Sequence, residues 1–264
     1  VICQVGMRYG NPSIRKGLET LRDMGVDELL LAPLFPHHAQ ATTESALKHA
    51  YKQLKEINWD PKVLELSHFP TDPEFIQPLA NSIKPHLDDD MHLLFSYHGL
   101  PVSHVKRSDS SGAHCQKVND CCTIGVKGNA SCYGHHCTLT TLAVIEELGL
   151  EEDKWSISYQ SRLGPAKWLQ PSTMETVEDL AAQGITKLVI VSPAFLADGL
   201  ETLEELDIEI REHFDEHGGQ ELTVVNCLND DPLWIDGLCS LILKRFDSAA
   251  KTSLPLVQPQ QSRA

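Results

Sequence analysis

The chain has 264 residues, of which 41% are hydrophobic and 22% are charged, a composition usual for a globular protein. Its formal net charge of −15 argues against nucleic acid as a partner, because phosphate binding needs clustered lysine and arginine side chains. No apolar run is long enough to cross a bilayer, and no signal-peptide pattern opens the chain. Because Val1 starts an apolar stretch without an initiator methionine, we expect the chain to be incomplete at its N-terminus.

Short apolar stretches alternate with amphipathic stretches of helical period along the chain. Strands are predicted at residues 1–5, 27–33, 63–66, 91–97, 154–160, 187–192 and 222–225. Helices are predicted at residues 12–24, 43–57, 73–87, 173–183 and 232–247, with another ending at Glu147 and an acidic one beginning at Glu201. Short strands separated by helices indicate parallel βαβ units, so the predicted fold class is α/β.

A histidine lies where a buried strand is predicted to run into a turn. The strand begins at Met91, and His98 stands at its carboxyl end, directly before Gly99. Such a histidine can ligate a metal through a neutral nitrogen or take up a proton near neutral pH. A hydrogen-bonded, half-buried histidine without chemical function explains the same pattern.

Three carboxylates are spaced four residues apart in the predicted acidic helix. Glu201, Glu205 and Glu209 would form a row on one helix face, directly after the strand that starts at Lys187. Ligand sites of open α/β sheets are found at the carboxyl ends of the strands. Oxygen ligands stacked there suit a divalent cation that arrives from water.

An ordinary amphipathic helix explains the same acidic row. Leu203, Leu206 and Ile210 are expected on the opposite face, against the core. The carboxylates would then simply face solvent, as most charged side chains do.

Five of the eight cysteines fall in one short segment: Cys115, Cys121, Cys122, Cys132 and Cys137. The residues between them, 116–131, have no helical or strand period, so apolar burial cannot order this loop. Four thiolates around a metal centre would order it, and disulfides or a zinc site are the alternatives. The absence of paired C-x-x-C spacings argues against zinc. The neighbouring His114, His135 and His136 are expected to be exposed loop residues.

Five segments in order resemble the ferrochelatases, lyases that insert ferrous iron into a porphyrin late in heme synthesis. They are Met7–Ser13, Pro33–Pro36, Ser96–Pro101, Tyr159–Pro171 and Pro193–Asp207. The resemblance covers nearly the whole chain apart from the cysteine-rich insertion and the C-terminal tail.

The resemblance implies an α/β fold of two similar doubly wound parallel-sheet lobes with a porphyrin cleft between them. Residues 1–95 would be the remainder of an incomplete first lobe, and residues 96–250 the second lobe, with the insertion at 109–137. Residues 251–264 are polar and without periodicity, and we expect them to form a disordered tail.

The resemblance also implies roles for the histidine and the acidic row. His98 would accept pyrrole protons and contact the incoming Fe2+, with Glu201 as its partner in proton removal or metal ligation. Glu205 and Glu209 would form a path for ions or protons towards solvent. A local widening of the family's helix would turn this row inward.

Arg8, Tyr9 and Trp168 correspond by resemblance to residues of the pocket wall that binds the porphyrin. Two positions depart from the family pattern. Residues 37–40 read His-His-Ala-Gln where a polar-aromatic-serine run is usual, and Gly199 stands where some relatives have a histidine. The first departure bears on metal preference or the route of metal entry.

By resemblance to bacterial relatives with an internal cysteine insertion, four of the five clustered cysteines are expected to bind a [2Fe-2S] cluster. Cys115 and Cys132 are the firmest candidates, and Cys137 resembles a packing residue of cluster-free relatives. Protoporphyrin is favoured over coproporphyrin as substrate, and a cobalt or nickel chelatase and a non-catalytic sensor are the alternatives. The expected location is the cytoplasm, with peripheral association with the inner membrane.

Overall fold

The computed structural model of the protein describes residues 1–66 and 68–252. Within that range, β1 (Glu28–Leu31) and β2 (Lys62–Glu65) form a two-stranded sheet, and four further strands form a larger one. The strands of the larger sheet are β3 (His92–His98), β4 (Trp155–Gln160), β5 (Lys187–Val191) and β6 (Glu221–Val224). Their order is β4-β3-β5-β6, and every neighbouring pair in both sheets is parallel.

Helices cover and connect these strands. The α-helices of the described residues are α1 (Ile14–Asp23), α2 (Ser45–Glu56), α3 (Pro73–Ile83), α4 (Val102–Arg107), α5 (Tyr133–Leu148), α6 (Thr173–Ala182), α7 (Arg211–Glu216) and α8 (Pro232–Thr252). A π-helix at Gln40–Glu44 leads into α2, and a longer one at Glu201–Ile210 leads into α7. The predicted α/β class is confirmed, and the elements predicted from residue 12 onward are found with their ends shifted by a few residues.

Local signals in the sequence explain where several helices begin and end. The Ser13 hydroxyl accepts a 3.2 Å hydrogen bond from the Lys16 N–H and caps α1, and Ser172 caps α6 through the Glu175 N–H. Gly149 ends α5 with a φ of +68°, a left-handed conformation that glycine adopts without steric cost.

The prediction of a strand at residues 1–5 is wrong. These residues form no ladder with any strand that the structure describes, and Val1 and Val5 are 89% and 67% exposed. Apolar, β-branched residues favour a strand only where a neighbouring strand supplies hydrogen bonds. The tail predicted at residues 251–264 lies outside the described residues, except that 251 and 252 end α8. No helix in the described part of the chain is long and apolar enough to span a membrane.

The larger sheet is buried on both faces, as parallel sheets usually are. Phe95 and Tyr97 of β3 pack into a core with α3, α5 and α8, in which Phe75 and Trp234 are also buried. Leu94 points to the opposite face and joins a second core beneath α6 and α7. Successive side chains of a strand alternate between faces, so β3 contributes to both cores. Each fully buried side chain of this size contributes about 1.5–3 kcal/mol.

The smaller sheet has a core of its own, formed with α1 and α2 and including Leu18, Leu29 and Leu54. The division predicted between residues 95 and 96 cuts through β3, all of which pairs within the larger sheet. The change from one sheet to the other therefore lies before His92, because the hydrogen-bonded ladder continues to that residue.

The acidic helix is a π-helix over Glu201–Ile210 rather than an α-helix. Its hydrogen bonds span five residues instead of four, which rotates the side chains relative to an α-helical wheel. Leu206 and Ile210 are buried as predicted, but Leu203 is 56% exposed, and Thr202 is buried instead. The local widening that the family resemblance implies is therefore present.

Candidate active site

His98 ends β3 and lies in register with Gln160 at the end of β4. Its Nδ1 atom is 2.6 Å from the carbonyl oxygen of Gly99. Because a carbonyl oxygen only accepts hydrogen bonds, Nδ1 must carry the proton, and the neutral ring has its lone pair on Nε2. The half-buried His98 can therefore take up a proton or bind a metal through Nε2.

Gln160 connects His98 with Glu201. Its side-chain Nε2 donates a 2.8 Å hydrogen bond to the main-chain carbonyl of Glu201. Its Oε1 accepts from the hydroxyl of Ser96 at 2.7 Å and from that of Ser192 at 3.3 Å. Gln160 is 3% exposed, so these bonds are made in the interior. It thereby ties the start of the π-helix to the carboxyl ends of β3, β4 and β5.

A buried polar network continues from Gln160 beneath the site. The Ser96 hydroxyl lies 2.7 Å from that of Thr173, and the Ser158 hydroxyl lies 2.9 Å from the same group. Neither Gln160 nor this network was predicted from the sequence to have a role. The available signal was the presence of serine and glutamine within strands otherwise made of apolar and aromatic residues, since buried polar groups need partners.

The carboxylate of Glu201 lies against Gly199. A Cβ atom added to Gly199 would be only 3.2 Å from Oε2 of Glu201, so a larger residue there would displace this carboxylate. Glu201 is half-buried and begins the π-helix. The departure from the family pattern at Gly199 therefore leaves space that the Glu201 carboxylate uses.

Glu205 is held by the residue that follows Gln160. Its two carboxylate oxygens accept hydrogen bonds from the N–H and the hydroxyl of Ser161, at 2.6 and 2.5 Å. Ser161 has a φ of +62°, an uncommon conformation for a residue with a side chain. Glu209 is exposed. The predicted row is thus divided, with Glu201 and Glu205 joined to the end of β4 and Glu209 in solvent.

Trp168 lies beside the turn that follows His98. A Cβ atom on Gly99 would be 3.3 Å from Cε3 of Trp168 and 2.7 Å from the carbonyl oxygen of Gln160, so only glycine fits at that position. The indole N–H donates to the carbonyl of Leu163 at 3.0 Å. Leu163 itself is 80% exposed, which places an apolar side chain on the surface next to the site.

Arg8 and Tyr9 lie elsewhere, beside α2. The guanidinium carbon of Arg8 is 4.6 Å from the centre of the Tyr9 ring, within the range of a cation–π contact, and its Nε donates to the Ser45 hydroxyl at 3.2 Å. Across residues 1–66 and 68–252, no hydrogen bond, ion pair or ring contact joins them to His98 or Trp168. Arg8 borders a shallow depression whose lining also includes Gln40, Ser45, Lys48, His49 and Lys52.

A cluster of histidines lies where the residues that follow β1 and β2 meet α5. His37 is 2% exposed, and burial, reinforced by His136, lowers its pKa to about 3. Burial also lowers the pKa of His136 to about 4. The ring of His136 accepts a 3.1 Å bond from the His38 N–H and packs 4.7 Å from the ring of His68. The unusual residues 37 and 38 therefore contact the insertion and the helix that follows it.

The expectation that the histidines of the insertion are exposed is wrong. His114, His135 and His136 are at most 9% exposed. His114 Nε2 and His135 Nδ1 donate to the carbonyls of Cys121 and Cys122, at 2.8 and 2.6 Å. These rings are buried because they satisfy carbonyl groups of the folded loop, which no local pattern reveals.

The cysteine-rich loop has polar order of its own. The Asp109 carboxylate accepts hydrogen bonds from the main-chain N–H groups of Ser111, His114 and Cys115, between 2.8 and 3.0 Å. The Asn129 side chain donates to the carbonyl of Ile124 at 2.9 Å. Side-chain to main-chain hydrogen bonds therefore order the loop, a source of order that the sequence prediction of a metal centre or disulfides did not include.

Four of the clustered cysteines lie close together. Burial and the charges of Cys132 and Cys121 raise the pKa of Cys115 to about 11. Burial, followed by Cys121 and Cys132, likewise raises the pKa of the Cys122 thiol. Burial also raises the pKa of the Cys132 thiol, and the N–H groups of His135 and Gly134 at the start of α5 partly oppose this rise. None of the eight cysteines forms a disulfide in the described residues.

Cys137 differs from the other four. It is fully buried inside α5, where its thiol hydrogen-bonds with Tyr133. Burial raises the pKa of its thiol well above the usual range, which makes the thiolate form hard to reach. Cys137 therefore packs inside α5, whereas Cys115, Cys121, Cys122 and Cys132 lie in the loop that leads into this helix.

Comparison with known proteins identifies the family. The family model described as Ferrochelatase matches residues 1–246. The chain belongs to the ferrochelatase family. It is 42% identical over 240 residues to the ferrochelatase of Pseudomonas fluorescens (strain Pf0-1), covering 90% of this chain and 70% of that protein. It is 43% identical over 237 residues to that of Ectopseudomonas mendocina (strain ymp), covering 89% and 69%.

Solved structures agree with a chelatase fold. SirB from Bacillus subtilis, solved with Fe3+, superposes with a TM-score of 0.60 at 13% identity, covering 94% of this chain and 84% of that one. The multi-domain DR2241 of Deinococcus radiodurans, described as structurally similar to chelatases, gives a TM-score of 0.50 at 14% identity, covering 89% and 45%. As a ferrochelatase family member, the chain is a lyase that inserts a metal ion into a porphyrin, so both are its substrates.

Proposed function

We propose that this enzyme inserts Fe2+ into protoporphyrin at the edge formed by the carboxyl ends of β3, β4 and β5. The observation that carries the proposal is the hydrogen bond from His98 Nδ1 to the Gly99 carbonyl, which leaves Nε2 as a proton acceptor. Insertion of a divalent ion releases two pyrrole protons, and His98 takes the first at Nε2. Glu201, joined to the same edge by Gln160, takes the second or ligates the arriving ion.

Glu205 and Glu209 extend this site towards solvent. The anchored, half-buried Glu205 and the exposed Glu209 follow Glu201 at intervals of four residues along the π-helix. Carboxylates are suitable ligands for a hydrated cation and can also pass on protons. We therefore assign to them the delivery of Fe2+ or the release of protons.

The surface around the site suits a flat, apolar macrocycle. Leu163 and Leu200 are 80% and 72% exposed, and Trp168 stands beside the turn after His98. Protoporphyrin has fewer carboxylates and more apolar edge than coproporphyrin, which is why we favour it. Arg8 borders a separate depression with Lys48 and Lys52, so its predicted place in the porphyrin-binding wall stays a prediction.

We also propose a [2Fe-2S] cluster on Cys115, Cys121, Cys122 and Cys132. The position of all four cysteines in one short loop supports it, as do the N–H groups of Gly134 and His135, which favour the thiolate of Cys132. Such a cluster supplies one-electron redox chemistry and cross-links the loop. The residues that would hold it belong to the insertion and to the start of α5.

For the location we propose the cytoplasm, with peripheral association with the inner membrane. Leu163, Leu200 and Leu203 are exposed apolar side chains of the kind that can insert into a membrane interface. Flotation of the protein with vesicles of bacterial lipid tests this directly. Recovery of the wild-type protein only in the non-floating fraction contradicts it.

The decisive assay measures metal insertion by the protein with each of two porphyrins, protoporphyrin and coproporphyrin, and with Fe2+, Co2+ and Ni2+. We expect protoporphyrin with Fe2+ to give the highest kcat/KM. Preference for coproporphyrin, or for Co2+ or Ni2+, assigns the enzyme to one of the alternative activities. Porphyrin binding without turnover under any of these conditions identifies a non-catalytic sensor.

A further inference from the structure

Two histidines and a glutamate converge on the surface of the helices α6 and α7, which cover one face of the larger sheet. His213, in α7, and His217, directly after it, are four residues apart, and their ring centroids are 4.3 Å apart. Glu178 reaches them from α6. One ligand atom from each of the three residues lies within 4.8 Å of the others.

The two oxygens of the Glu178 carboxylate face different histidine rings. Oε2 is 3.7 Å from Nε2 of His213, and Oε1 is 3.9 Å from Nε2 of His217. These distances are too long for hydrogen bonds. Ligand atoms around a tetrahedral ion with bonds of about 2.0–2.2 Å are separated by roughly 3.3–3.6 Å. The three groups are thus spaced slightly more widely than around a bound ion.

The protonation of His217 also suits a ligand. Its Nδ1 lies 2.8 Å from the carbonyl oxygen of His213 and must donate to it, so Nε2 has the lone pair in the neutral ring. A main-chain carbonyl that fixes the tautomer in this way is the usual companion of a metal-binding histidine.

A second, independent observation comes from His213. Its Nε2 atom is buried and, in the part of the chain that the structure describes, has no hydrogen-bond partner. A buried polar atom without a partner is unfavourable, and a metal ion at this position would satisfy it. The ordinary alternative is that Glu178 forms two weak ion pairs with protonated histidines. That arrangement would need no metal ion between the three side chains.

We propose that Glu178, His213 and His217 form a second metal site that binds a divalent transition-metal ion, with Zn2+ as the best-suited ion. Two imidazole nitrogens and one carboxylate oxygen are a donor set that Zn2+ accepts in tetrahedral geometry, with water as the fourth ligand. The site is separate from the porphyrin edge, which is marked by His98. Its occupation fastens α7 to α6, and α7 continues the π-helix that Glu201 begins.

The test must distinguish this site from the cysteines, which also bind Zn2+. Co2+ serves as the probe, because thiolate ligands give cobalt an intense charge-transfer band that imidazole and carboxylate ligands do not. We expect the purified protein to bind one equivalent of Co2+ with visible bands but without that thiolate signature. Zn2+ should displace it and raise Tm.

Two variants and one matched control complete the experiment. His217→Ala and Glu178→Gln should each weaken this Co2+ binding at least tenfold and abolish the rise of Tm with Zn2+. Glu216→Gln, which changes an exposed carboxylate on the same helix, should leave both unchanged. Both ligand variants alter exposed side chains and should retain metal insertion into porphyrin. Loss of Co2+ binding therefore tests this site, whereas loss of metal insertion tests the proposed function. Unchanged Co2+ binding in His217→Ala, or only thiolate-ligated cobalt in the wild type, overturns the proposal.

Discussion

The side-chain amide of Gln160 donates a 2.8 Å hydrogen bond to the main-chain carbonyl of Glu201. The same side chain accepts from the Ser96 hydroxyl, and its residue lies in register with His98. One buried side chain therefore sets the position of the acidic residue relative to the histidine at the neighbouring strand end. This relationship makes Gln160 a positioning residue for the proposed pair.

Replacing Gln160 should lower both stability and turnover. In Gln160→Leu the Glu201 carbonyl and the Ser96 hydroxyl lose a buried partner, which should cost roughly 1–3 kcal/mol of unfolding free energy. We expect kcat to fall more than the affinity for porphyrin, because the pair is displaced while the pocket walls remain. Urea unfolding and steady-state kinetics measure these effects, with Gln77→Ala on the exposed face of α3 as the control. Normal kcat in a destabilised Gln160→Leu would restrict Gln160 to a structural role.

Removing the proposed proton acceptor should abolish metal insertion without abolishing porphyrin binding. For His98→Ala we expect kcat to fall by about 10²–10⁴-fold, the usual contribution of a positioned acid or base. Glu201→Gln should behave similarly. Fluorescence quenching of the porphyrin reports binding, and the exposed His86→Ala is the control. Turnover near the wild-type rate in either variant would exclude that residue from the role.

The two outer carboxylates should differ in importance. Glu205 is anchored by Ser161, whereas Glu209 is exposed. Glu205→Gln should therefore raise the Fe2+ concentration needed for half-maximal rate more than Glu209→Gln does, with little change in porphyrin affinity. The measurement is the initial rate as a function of Fe2+ concentration. An identical dependence in both variants and in the wild type would mean that the row serves only as a solvated face.

The buried histidines should make the protein less stable in mild acid. The folded-state pKa values of His37 and His136, about 3 and about 4, are below the ordinary value of 6.5. The unfolded chain therefore binds protons first, and each histidine lowers the unfolding free energy by about 1.4 kcal/mol per pH unit as the pH falls below 6.5. His37→Leu should reduce this slope between pH 6.5 and 5 in urea titrations. The exposed His86→Ala should leave the slope as it is, and equal slopes in all three proteins would show that His37 does not carry it.

The cysteines should divide into ligands and a packing residue. Protein purified without oxygen should be coloured and contain about two irons per chain if the proposed [2Fe-2S] cluster is present. Cys115→Ser or Cys132→Ser should remove the colour, whereas Cys137→Ser should retain it because that thiol is buried against Tyr133. Absorption spectra and iron analysis decide the matter. Colourless wild-type protein with stoichiometric zinc would refute the cluster and leave metal insertion untouched.

Local patterns in the sequence determined most of the secondary structure and the position of His98. A short apolar run bounded by turn residues predicts a buried strand, and β3 is found there. His98 follows this run directly, so its place at the carboxyl end of the strand could be read from the sequence. The same patterns predicted a strand at residues 1–5, which is wrong because a strand also depends on a partner that no local pattern contains. The motifs of the five matching segments were specific enough to predict the family.

Only the tertiary structure decided how the site is held. The π-helical form of Glu201–Ile210 exposes Leu203, against the expectation from an α-helical wheel, because widening the hydrogen-bonded ring rotates its side chains. The buried Gln160 is hydrogen-bonded to Glu201, which is distant in the sequence. The buried His136 is hydrogen-bonded to the distant His38 and to Ala130 of the folded loop. Such bonds form only after the chain has brought their partners together. For that reason, the family resemblance could indicate the proposed catalytic pair but not the side chains that position it.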